Sequence, residues 1–357
     1  MNGNADAAPV VWALLGDKGG DNAQVAAVCE RLPWPVEIKR LAFRRFFRRG
    51  KPFFLPSLYH IDRGRSDSLT PPWPDVILTI GRRPAMAAAW IRDRSGGRTR
   101  VVLFGRPRSD ASRFALIVAA AQFQVPSAPN VVHTTLPLMR IDHVRIAAAG
   151  TEWQSTLADL PRPLIAVLVG GATRPYTFDV GAARALMDVA QRYASAGTLF
   201  VTTSRRTSAA ATEALRESLP TGARFWRWGD ASPNPYLGLL AHADGFVVTG
   251  DSMSMITEVV RLRRPLAVFP LPLRTATRWA RTHLPEWLAQ LPNRVIYRWL
   301  PRLGVTVFRR DLTEVYRRLV ANGNAVLTPS PLPAAIAALD DDLDRVVKAV
   351  RNVVAQA

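Results

Sequence analysis

A single cysteine, Cys29, in 357 residues excludes an intramolecular disulfide and any thiolate-rich zinc or iron–sulfur centre. Histidine is nearly as scarce. His60, His133, His143, His242 and His283 stand far apart, with no HxH or HxxxH pair, so no histidine-based metal centre is expected. Acidic residues are also few: 28 Asp and Glu against 47 Lys and Arg leave a formal charge of +19, an excess that suits an acidic partner or surface better than any need of the fold. No run approaches the ~18 to 20 apolar residues of a membrane span. Met1 to Pro9 lacks the basic stretch and apolar core of a secretory signal. The expected location is therefore cytoplasmic, with any membrane contact peripheral to the inner face. Neither a GxxxxGK[ST] loop nor a GxGxxG fingerprint occurs.

What is present is 48% hydrophobic residues in a chain long enough for two domains at ~150 residues each. Short apolar runs ending in Gly, Pro or Asn alternate with amphipathic segments, the pattern of parallel sheets covered by helices. Strands are expected at Val10–Leu15, Asp75–Ile80, Val101–Phe104, Ala115–Val118 and Val131–His133, then at Leu164–Val169, Thr198–Thr202, Arg224–Trp228, Gly245–Thr249 and Leu266–Phe269. The periodicity breaks over Gly150–Pro163, which places an N-terminal Rossmann-like domain at 1–155 and a C-terminal one at 160–330. Residues 331–357, amphipathic from about Ala334, are expected to form a helix packing back across the molecule.

The richest motif runs from Val247 to Glu258. A strand ends at Thr249, and a helix starts near Ser252 with free N–H groups that attract an anion such as phosphate. Asp251, Ser252, Met253 and Ser254 surround that start, and Glu258 lies where a carboxylate can accept from a ribose diol. The plainer alternative is a Ser-capped helix bearing a solvated glutamate. Gly170, Gly171, Ser204 and Arg205 or Arg206 follow other strands and suit a diphosphate equally well as they suit ordinary turns. In the first half, Gly16, Lys18, Gly19 and Gly20 form another strand-end turn. Asn22 is expected to cap the helix beyond it, and Asp21 or Asp17 is a candidate base. Residues 39–65 interleave nine basic residues with aromatics; Arg44, Arg45, Phe46, Phe47, Arg48 and Arg49 are the candidate contacts to an acidic membrane. Residues 274–318 form a second basic region.

The stretches GDKGGDNAQ (Gly16–Gln24), PDVILTIGRR (Pro74–Arg83), PNVV (Pro129–Val132), VLVGG (Val167–Gly171), TTSRRT (Thr202–Thr207), NPY (Asn234–Tyr236) and VVTGDSMSMITE (Val247–Glu258) resemble the bacterial homologues of the elongated-mitochondria fission proteins. The resemblance implies a GT-B-like α/β fold, two facing Rossmann-like domains with a ligand cleft between them. Thr249–Glu258 is also similar to the donor-site stretch of GT-B glycosyltransferases such as the lipid-linked N-acetylglucosaminyltransferase of peptidoglycan synthesis. That similarity implies diphosphate contacts at the turn and a ribose contact at Glu258. Many relatives carry His where this chain has Asp21.

Two functions follow as expectations. One is an inverting, metal-independent GT-B-type glycosyltransferase without a cofactor, binding a nucleotide-diphosphate sugar on the second domain and an acceptor on the first, with Asp21 as general base. The other is a non-catalytic, membrane-associated scaffold or recruiting protein that retains the fold. Nucleic acid is the less favoured partner, because the arginines fall in two separated regions without a recognisable binding module.

Overall fold

The computed structural model describes residues 8–49, 56–107, 111–274, 311–339 and 342–356, excepting the side chains at 48 and 49. Lys51, Phe53, Phe54 and most of the second basic region, 275–310, lie outside the described residues. The chain divides into two compact units, one comprising the residues up to Arg140 and those from Asp340 onward, the other Ile141–Leu339.

The first unit is built on a six-stranded sheet in the order β2-β1-β3-β4-β5-β6. Its strands are β1 (Val11–Leu15), β2 (Val36–Arg40), β3 (Val76–Ile80), β4 (Arg100–Phe104), β5 (Leu116–Ala120) and β6 (Val131–Thr134). Neighbours pair in parallel, as in Val11 opposite both Val36 and Val76. The near-continuous apolar runs are those of a sheet covered on both faces, and side-chain alternation divides them. Val11, Ala13, Leu15, Leu78 and Val102 pack with Val25 and Val28 of α1 (Gly19–Cys29) and with Val346 and Val350 of the C-terminal helix Asp342–Ala355. Trp12, Leu14, Ile77 and Leu103 pack on the other face, with Ala88 and Ile91 of α3 (Arg82–Arg94) and with Phe43 and Ile61. Between β2 and β3 lies the short helix α2 (Arg45–Arg49).

The second unit repeats the plan in the order β12-β11-β10-β7-β8-β9. Here β7 is Leu164–Leu168, β8 Thr198–Thr202, β9 Arg224–Trp226, β10 Gly245–Thr249, β11 Leu266–Phe269 and β12 Val326–Leu327. Its helices include α4 (His143–Leu157), α5 (Val180–Ala190), α6 (Ala209–Glu217), α7 (Tyr236–His242), α8 (Met253–Arg261) and the Leu312–Ala321 helix. The pairings among these strands are again parallel.

Three details differ from the sequence-based expectations. The 150–163 boundary falls instead between Arg140 and Ile141, because α4 runs unbroken through Gly150. That glycine brings two helices together: a Cβ there would sit 3.3 Å from Ala241, and its carbonyl accepts a 2.7 Å bond from His242 Nε2. Asn22 is not a helix cap, since α1 already begins at Gly19. No helix starts near Ala334: residues 331–339 are non-helical, and the described final helix is Asp342–Ala355; the Asp342 carboxylate accepts from the Thr135 amide at 2.7 Å and pairs with Arg345, tying the helix to the end of β6.

Candidate nucleotide site and first-unit turn

Open parallel sheets bind ligands beyond the carboxyl ends of their strands, where the strand order reverses. In the second unit that point lies between β7 and β10, and the loops after them are Gly170-Gly171 and Gly250-Asp251-Ser252. Thr249 Oγ1 joins the loops. It accepts from the Gly170 amide at 2.8 Å and donates to Asp251 Oδ1 at 2.8 Å.

Asp251 is buried, with Oδ2 2.8 Å from Arg206 Nη1. Burial raises its pKa above the ordinary aspartate value; Arg206 and the Thr249 hydroxyl act against the rise. A methyl group on Gly170 would collide with the Asp251 carboxylate. At Gly171, φ is +132°, and a side chain would also strike the Arg206 backbone, with which Gly171 forms a parallel bridge. Ser204 Oγ donates to the Gly170 carbonyl, which Thr207 Oγ1 also approaches, at 3.2 Å. The polar atoms of Asp251 and Ser204 thus lock three loops together. Arg206, the alternative to Arg205 for a diphosphate contact, supplies the charge at the lock.

Other groups at this edge are less engaged. Ser252 occupies the N-cap of α8, buried like Met253 beside it, and makes no side-chain capping bond, so its hydroxyl leaves the first-turn amides around Met253 and Ser254 uncapped. Ser254 and Arg205 are exposed, and Arg205 makes no hydrogen bond or ion pair among the described residues. Glu258 follows in the second turn of α8, half-buried, with Oε2 accepting from the hydroxyl of Tyr236. Burial pushes the Glu258 carboxyl above the usual glutamate range, while the tyrosine bond pulls it back. Tyr236 is raised well above its ordinary value by burial first and by Glu258 second. In sequence, Asn234-Pro235-Tyr236 reads as a helix entry with side chains near the candidate base site; no local signal ties Tyr236 to Glu258, 22 positions away.

The reversal in the first unit lies between β1 and β3. Asn22 bonds back to the turn, donating to the Gly16 carbonyl at 2.9 Å and accepting from the Gly16 amide at 3.2 Å. Gly16 is tightly enclosed by Pro84 and Phe43, whereas Gly19 and Gly20 face open space. Arg83 grips Asp17 with bonds of 2.9 and 3.1 Å. Lys18 Nζ lies 3.6 Å from Asp21 Oδ2, and the Asp21 side chain is part-exposed. His60, fully buried, donates through Nε2 to the Arg83 carbonyl at 2.9 Å and stacks on Phe43. Burial lowers its pKa, favouring the neutral ring.

Arg44 and Arg45 lie at the start of α2, with Arg44 Nε donating to the Ile61 carbonyl at 3.2 Å. Phe46 is 84% exposed and meets Phe47 edge-on, and Phe47 meets Tyr59 in the same way.

Two doubly wound parallel sheets, each with a glycine turn and a helix start at its point of reversal, define an α/β protein of two Rossmann-like units. The chain belongs to the mitochondrial fission ELM1 family, whose model matches residues 19–301. It is 29% identical over 218 residues to the mitochondrial fission protein ELM1 of Arabidopsis thaliana, a match covering 55% of this chain and 51% of that protein, so it spans about half the plant relative's length. The uncharacterized protein RP120 of Rickettsia prowazekii is 22% identical over 299 residues, with coverage of 73% and 83%. Among solved structures, a glycosyltransferase from Rickettsia africae aligns over 98% of this chain and 99% of its own at 10% identity and a TM-score of 0.48. The ADP-heptose lipopolysaccharide heptosyltransferase II of E. coli aligns over 97% and 99% at 9% identity and 0.42. A UDP-GlcNAc 2-epimerase from Neisseria meningitidis, bound to UDP-GlcNAc, aligns over 96% and 99% at 10% identity and 0.47.

Proposed function

We propose that the protein binds a nucleotide-diphosphate sugar at the carboxyl edge of its second sheet and acts as a GT-B-type glycosyltransferase at a membrane surface. The observation that carries this reading is the start of α8, which no N-cap side chain caps, placed at the strand-order reversal with Glu258 one turn further on. Amides at a helix start stabilise the charge that develops on a departing diphosphate, and Arg205 adds an exposed positive charge. A nucleoside diphosphate can therefore leave without a metal ion. Inversion at the sugar follows if an acceptor hydroxyl, deprotonated by Asp21, attacks the anomeric carbon directly. In this scheme Gly16, Lys18, Gly19, Gly20 and Asn22 shape the acceptor side.

The basic, aromatic surface around Arg44, Arg45, Phe46 and Phe47 supports a peripheral seat on an acidic leaflet, where each basic residue contributes about 1 kcal/mol. No helix among the described residues is long and apolar enough to cross a membrane. The test is incubation with a panel of nucleotide sugars and anionic vesicles, following release of free nucleoside diphosphate. Release that disappears in Asp21→Asn, with nucleotide affinity kept, supports transfer and the assigned base.

A second reading, a recruiting protein that retains the nucleotide site without turnover, is favoured by the engagement of both candidate bases, Asp17 with Arg83 and Asp21 with Lys18. Nucleotide binding without release of diphosphate from any sugar donor supports it.

A further inference from the structure

The Glu258 carboxylate has two oxygens, and the structure treats them differently. Oε2 receives the Tyr236 hydroxyl, while Oε1 makes no hydrogen bond among the described residues. The donor is held firmly. Tyr236 opens α7, its amide is bonded to Asn234 Oδ1 at 3.0 Å, and Pro235 before it accepts the Leu239 amide at 2.8 Å. Two positions further on, Gly238 lies so close to Trp153 of α4 that any side chain there would collide with the indole. The phenol therefore projects from a helix start that cannot easily shift, and it meets Glu258 from a different element. A glutamate otherwise has three rotatable bonds with which to wander, and holding one oxygen removes most of that freedom.

We propose that Tyr236 is a positioning residue for ligand recognition: by holding Oε2 of Glu258 it fixes the carboxylate and reserves Oε1 for the hydroxyls of a ribose. This rests on the nucleotide-binding reading of the second unit and deepens it. An oxygen of an ionised carboxylate carries two acceptor directions, enough for both hydroxyls of a cis-diol. The phenol also supplies a donor that the carboxylate otherwise lacks in its half-buried place, opposing the upward pull of burial on its pKa and orienting the group before the ligand arrives. Ribose preference thus depends on a residue that does not itself touch the sugar.

The experiment compares calorimetric titrations of UDP and 2′-deoxy-UDP into the wild-type protein, Tyr236→Phe, Glu258→Asp, Glu258→Ala and the Tyr236→Phe/Glu258→Ala double variant. The wild type is expected to prefer UDP. Tyr236→Phe is expected to lose about fivefold to twentyfold in UDP affinity while changing less than about twofold for the deoxy ligand. Glu258→Asp draws the carboxylate away from the phenol but keeps its charge, and is expected to lose the preference too, which gives a reading even if the phenylalanine variant does not fold. In the alanine background, Tyr236→Phe is expected to add nothing to the preference, because the two act through one carboxylate. A purely structural role would weaken both ligands equally. Full ribose preference in Tyr236→Phe, with loss in Glu258→Ala, overturns the role of Tyr236 while sparing the nucleotide site. A wild type that binds neither ligand overturns both.

Discussion

Glu258→Gln should weaken nucleotide binding without weakening the fold, and both halves of that statement follow from the surroundings of the carboxylate. A hydrogen bond to a charged acceptor contributes about 1.5 to 3 kcal/mol net, and one to a neutral acceptor about 0.5 to 1.5. Two ribose hydroxyls on a carboxylate that becomes an amide therefore lose about 2 to 3 kcal/mol, or roughly 30- to 160-fold in affinity. For stability the sign is different. Burial raises the Glu258 pKa above its unfolded value, so the group stabilises the fold fully only below the unfolded pKa, and that contribution is lost as pH rises through the native one. Glutamine carries no such charge and can still accept from Tyr236. The melting temperature of Glu258→Gln relative to wild type should accordingly rise from pH 4 to pH 8. Calorimetric titration with nucleoside diphosphates and melting scans over that range make the check. Equal nucleotide affinity in the two proteins, or a variant that becomes progressively less stable than wild type towards pH 8, would refute the reasoning.

Three further outcomes are expected. Gly170→Ala places a methyl group against the buried Asp251 carboxylate and should cost about 1 to 3 kcal/mol in a urea melt, whereas Gly20→Ala, with open space around it, should not lose stability through a clash. Asp342→Ala leaves the Thr135 amide without its acceptor and frees the start of the C-terminal helix, costing about 2 kcal/mol by the same assay. The Cys29 thiol, pushed up to about 12 by burial, should resist a thiol-specific reagent at pH 8 until the protein is unfolded, because the thiolate is the reactive form.

The sequence exposed the sheets more readily than the contacts between their loops. Runs such as Val76–Ile80 and Leu164–Leu168 are buried at every position, and a strand covered on both faces can be read from apolar composition alone. The edge strand Val36–Arg40 hid because Glu37, Ile38 and Arg40 are exposed and Lys39 lies over the Trp12 ring; pairing with β1, not burial, makes it a strand. Gly150 misled for a related reason. A glycine that breaks a helix and one that lets two helices approach look alike in sequence, although Asp142, whose carboxylate accepts from the Arg145 amide at 3.0 Å, carried the signal that a helix starts there. At the candidate site, strand ends and turns were legible because they are local. The Arg206–Asp251 pair and the Tyr236–Glu258 bond join separate loops and helices, and only the folded sheet brings them together.

The most direct test of a nucleotide site at the second sheet's point of reversal is amide hydrogen exchange with and without a saturating panel of nucleoside diphosphates. Binding at this edge predicts slowed exchange at Gly170 and Gly171 and across Ser252–Glu258, with the Val11–Leu15 strand unchanged. Saturation by a nucleotide that leaves those amides unprotected, or protection confined to the first unit, would contradict it.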